Sequence, residues 1–128
     1  MKLLIYPALD KNEVEEIATV SDQVEILNIN SEEEALQEIE AIDAIYGAIT
    51  SALLERAKKL KWIQAPSIGL ENYMFPALIE SDIEITNMAG IFSDVIADHT
   101  LAYILCSPAG FTSTCANNSR ETGSPVFL

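Results

Sequence analysis

The sequence predicts an α/β domain: a parallel sheet of about five strands with helices on both faces, a long apolar C-terminal helix and an irregular tail. Three observations predict it. Short apolar runs that close at Pro, Gly or Thr alternate with stretches whose apolar residues recur at helical spacing, the rhythm of repeated βα units. Strand starts near residues 2, 24, 44, 61 and 83 recur at intervals of about 17 to 22 residues, enough for one strand and one crossover helix. Hydrophobic residues make up 49% of the 128, and a chain of this size buries roughly two-thirds of its unfolded surface, so a real core is available.

Each element follows from its residues. Leu3-Leu4-Ile5-Tyr6 is a buried-strand run closed by Pro7. Asp10 and Glu13 have capping-box spacing ahead of Val14, Ile17 and Ala18 on one helical face. Val24 to Ile29 alternates as a second strand, and Ser31 with Glu34 repeats the capping box before Ala35, Leu36, Ile39 and Ile42. Ala44 to Ile49 is a third strand. Thr50 or Ser51 caps a third helix carrying Leu53, Leu54, Ala57 and Leu60, with Lys58, Lys59 and Lys61 in or just after its last turn. Trp62-Ile63-Gln64-Ala65 is a fourth strand, followed by a short helix, a fifth strand from Ile83 to Thr86 and a helix from about Ser93. Right-handed crossovers favour a flavodoxin-like strand order, in which ligands sit beyond the carboxyl ends of the strands. That rim holds Tyr6-Pro7, Ala48-Ile49-Thr50, Ser67-Ile68-Gly69 and Asn87-Met88-Ala89-Gly90.

The last helix differs from the others. Val95, Ile96, Leu101, Ala102, Ile104 and Leu105 leave little polar face, so it asks for cover from a second domain or subunit. After Cys106 the chain turns rich in Ser, Thr, Gly and Pro without periodicity. Residues 1–106 therefore read as the folded part and 107–128 as an irregular tail.

Net charge is −13, from 7 Lys+Arg against 20 Asp+Glu, which argues against nucleic acid and against an anionic membrane as partners. No signal-peptide pattern or membrane-length apolar run is present, and the two cysteines, Cys106 and Cys115, fit a reduced cytoplasm. One His and two late Cys make no metal set. There is no G-x-G-x-x-G or P-loop, no carboxylate ending the third strand for phosphoryl transfer, and no phosphate loop after the first. His99, the only imidazole, follows Asp98 in the first turns of the last helix and reads as structural.

The stretch of greatest chemical interest is Pro66-Ser67-Ile68-Gly69. Pro66 stops the strand because it has no N–H for a ladder, and Gly69 permits positive φ or close approach to the backbone. Successive N–H groups there suit a small anion-binding nest.

The same stretch carries a resemblance. Leu60 to Gln64, Pro66 to Asn72, Ile83 to Asn87 and Ser93 to Ala102, in that order, resemble the substrate (catalytic) domain of the D-isomer-specific 2-hydroxyacid dehydrogenases. The resemblance runs from residue 1 to about 106. It implies a flavodoxin-like substrate domain facing a Rossmann domain that binds NAD or NADP, with a small 2-hydroxy or 2-keto acid between them. By resemblance, the N–H groups of Ile68 and Gly69 hold the substrate carboxylate, Ala48 and Ile49 line the substrate side, and Ile68 and Ile96 lie near the nicotinamide. The last helix is then the crossing into the cofactor domain and part of a homodimer contact. The family's glycine-rich dinucleotide motif and its catalytic Arg, Glu and His are not among these residues, so no catalytic residue is assigned and tight cofactor binding by this chain alone is not expected. Shifting the back-translated tail by one base permits a family-like continuation, which raises the expectation of a frameshifted, truncated dehydrogenase. Two further readings are a non-enzymatic dimerisation or regulatory module, and a stand-alone ligand-binding domain, for which no specific polar constellation stands out.

Overall fold

A computed structural model gives the structure of the chain and describes residues 1–106. The tail expected at 107–128 lies outside the described residues. Two compact units are present, Met1–Ala89 and Gly90–Leu128.

The first unit is a five-stranded, fully parallel sheet in the order β2-β1-β3-β4-β5. The strands are β1 (Lys2–Tyr6), β2 (Glu25–Asn28), β3 (Ala44–Gly47), β4 (Trp62–Gln64) and β5 (Glu84–Thr86). This is the flavodoxin-like order expected from the βα rhythm. Between them run α1 (Lys11–Thr19), α2 (Glu32–Glu38), α3 (Ser51–Arg56) and α4 (Pro76–Ile79), with single 3-10 turns at Ile39–Ala41 and Glu71–Tyr73.

Side-chain alternation along the central strands sorts the core onto two faces. Leu4, Ile45 and Ile63, all fully buried, join Ala35, Ile39, Leu53 and Leu78 under the α2, α3 and α4 side. Leu3, Ile5 and Ala44 point the other way, where Val14 and Ile17 of α1 cover them. The register lines up Leu4, Ile45, Ile63 and Ile85 across four strands.

The caps are where their residues put them. Asp10 accepts from the N–H groups of Asn12 and Glu13 while the Asp10 N–H donates to Glu13, a complete capping box. Ser31 accepts from Glu34 N–H and Thr50 from Leu53 N–H. The third helix is shorter than its apolar pattern predicts. It ends at Arg56, because Ala57 turns extended (ψ 95), and Lys58, Lys59 and Lys61 lie on the connection to β4. β3 is also shorter than expected, closing at Gly47, whose φ of +116 takes the chain out of the ladder. A Cβ there would overlap the Tyr6 carbonyl oxygen, which instead accepts from Ala48 N–H at 2.7 Å. At the open edge, Trp62 Nε1 donates to Thr86 Oγ1 (2.8 Å), and Thr86 Oγ1 donates to Gln64 Oε1 (2.7 Å), tying β5 to β4 through side chains as well as backbone.

In the second unit, α5 (Ser93–Cys106) starts where the sequence predicts, after Gly90 at φ +90. Its apolar residues lie all round rather than on one stripe, and Val95, Ile96, Leu101, Ile104 and Leu105 are exposed. His99 stacks edge-on with Tyr103, ring centroids 5.4 Å apart.

Gly47→Ala is expected to lower the unfolding free energy by about 2–4 kcal/mol, from left-handed strain plus the overlap with Tyr6. Urea unfolding followed by circular dichroism measures it; a change below about 0.5 kcal/mol would mean the turn accommodates a side chain.

Candidate functional site

The carboxyl ends of five parallel strands form one rim, and the turn after β4 is its most constrained part. Ala65 is fully buried and its N–H still donates to Thr86 O (2.8 Å). Pro66 then ends the pairing, since it has no N–H to continue it.

Three successive carbonyls in the turn are each held. Ser67 O accepts from Met88 N–H at 3.1 Å. Ile68 O accepts from Asn87 Nδ2 at 2.6 Å. Gly69 O accepts from Ser67 Oγ at 2.7 Å. A peptide unit is planar, with C=O and the following N–H pointing in opposite directions. Holding Ser67 O against Met88 therefore turns Ile68 N–H away from β5, and holding Ile68 O on Asn87 does the same to Gly69 N–H. Among the described residues, no atom accepts from either N–H. Ile68 itself is 45% exposed.

Gly69 is not at positive φ; that role falls to Gly47 and Gly90. What Gly69 provides is space. A Cβ at Gly69 would run into the carboxylate of Glu71, whose two oxygens and Cδ all lie within about 3 Å of it.

Across the rim, Ala48 is half-buried at the end of β3, while Ile49 is 6% exposed and belongs to the core cluster. Thr50 next to it donates its hydroxyl to Glu32 Oε1 at 2.6 Å. Tyr73 links this wall to the turn's own segment: its hydroxyl, buried, donates to Gly47 O at 2.7 Å. Burial, with Tyr46 nearby as the lesser cause, raises the Tyr73 pKa above the usual 10.0. Ile68, Gly69, Ala48 and Ile49 thus share the first unit, whereas Ile96 belongs to α5 in the second. Among the described residues no group of His, Cys, Asp and Glu suits a metal ion.

Sequence reading placed Asn87 and Ser67 on the rim without giving them a role, and passed over Tyr73. Asn87 follows β5 directly, and Ser67 comes three residues after β4 ends at Gln64. In neighbouring parallel strands that puts an amide donor beside the other strand's turn, a signal that needed the strand order to be used.

Comparison with known proteins agrees with this architecture. The family described as D-isomer specific 2-hydroxyacid dehydrogenase, catalytic domain, matches residues 3–123. A glyoxylate/hydroxypyruvate reductase B of Yersinia enterocolitica is 33% identical over 73 residues, 57% of this chain and 22% of the relative. A D-isomer specific 2-hydroxyacid dehydrogenase family protein of Aeromonas salmonicida superposes with a TM-score of 0.69 at 18% identity, over 99% of this chain and 41% of its own. A phosphoglycerate dehydrogenase of Lactobacillus plantarum does so with a TM-score of 0.59 at 21% identity, over 92% and 38%. The chain thus spans well under half the length of these relatives, and the structural likenesses speak for the fold.

Tyr73→Phe should cost about 1 kcal/mol near neutral pH by orphaning Gly47 O. Because the folded pKa of Tyr73 is raised, its contribution is complete below pH 10 and is lost as pH rises from there toward the folded value. Urea midpoints of the two proteins should therefore converge above pH 10; parallel curves would remove Tyr73 from the alkaline transition.

Proposed function

Since the chain belongs to the D-isomer specific 2-hydroxyacid dehydrogenase family, through its catalytic domain, we propose that residues 1–89 form the substrate-side wall for hydride transfer between a nicotinamide cofactor and a small 2-hydroxy or 2-keto acid. The observation that carries this is the turn after β4. Its two N–H groups without an acceptor among the described residues, Ile68 and Gly69, are oriented by the held carbonyls of Ser67 and Ile68 and offer adjacent donors to one carboxylate. Charge-assisted bonds from backbone N–H to a carboxylate are short and strong, and here the donors need no rearrangement to make them. Ala48 contributes to the facing side, with Ile49 supporting it from the core. Ile68 lies against the nicotinamide; for Ile96, on α5 in the second unit, a nicotinamide contact rests on the resemblance alone. The full-length enzyme would use NAD or NADP. The 128 residues hold no dinucleotide motif, so alone the chain would bind the cofactor weakly and catalyse no turnover. A cytoplasmic setting suits this chemistry; no helix among the described residues is long and apolar enough to cross a membrane.

A second reading rests on α5. A helix apolar on all sides, with Val95, Ile96, Leu101, Ile104 and Leu105 exposed, favours association. We propose a homodimer through this helix, which a regulatory module without catalysis would share.

Titrating the 15N-labelled chain with glyoxylate should shift the Ile68 and Gly69 amide signals saturably. Asn87→Leu, which frees the Ile68 carbonyl, should weaken that response by about tenfold, the equivalent of one hydrogen bond. No shift at either amide would sink the carboxylate site. NADH or NADPH oxidation with glyoxylate above the blank rate would sink the proposal that the chain alone is inactive. Light scattering of a stable monomer at high concentration would do the same for the dimer.

A further inference from the structure

We draw no further inference here: the strongest candidate, the half of the sheet's second face along β3, β4 and β5, where Tyr46 and Gln64 lie half-buried and Trp62 and Thr86 exposed, carries nothing because nothing in the structure shows what covers it.

Discussion

The bond from Asn87 Nδ2 to the Ile68 carbonyl is the interaction on which the candidate site depends. It acts through peptide planarity: fixing an oxygen fixes the direction of the next N–H. Met88 N–H on Ser67 O and Ser67 Oγ on Gly69 O complete the set. Each held oxygen removes a rotation that the turn would otherwise spend finding protein partners for its own donors. A short loop after a strand usually satisfies itself inwardly. This one satisfies its acceptors inwardly and turns its donors out.

That arrangement requires β5 to be in register beside β4, because two of the three donors come from the residues immediately after β5. Register is set in turn by Ile63 opposite Ile85 on the buried face and by the Trp62, Thr86 and Gln64 side chains on the other. A slip of one residue would send every side chain to the wrong face and carry Asn87 away from Ile68. Packing in the core and aim at the rim are therefore one constraint, expressed at two ends of the same strand pair. Tyr73 repeats the logic on the other side, linking its turn to β3 through the Gly47 carbonyl.

The sheet order, the five strands and the caps at Asp10 and Ser31 were legible in the sequence, and the third cap was narrowed to Thr50 or Ser51, because alternation, helical spacing and capping chemistry are local. The Pro66 to Gly69 turn was legible for the same reason. What sequence could not supply was long-range. The Asn87–Ile68 and Tyr73–Gly47 bonds join residues 19 and 26 apart, and nothing near either partner announces the other. The third helix was overextended past Arg56, since Leu60 continues its apolar spacing although it packs from the following connection. Gly69 was credited with two kinds of freedom, and only the steric one is used. Gly47 was read as part of a strand, and its backbone conformation is what ends that strand.

Trp62 is the only tryptophan in the chain, and its indole N–H is bonded to Thr86, one residue before Asn87. The protein therefore carries a built-in optical gauge of its own outermost strand. Indole emission responds to solvent contact and to loss of that bond, so its colour and intensity report whether β5 is seated. Since β5 is what aims the rim, a fluorescence reading taken with no added label tells whether the turn after β4 is held in place.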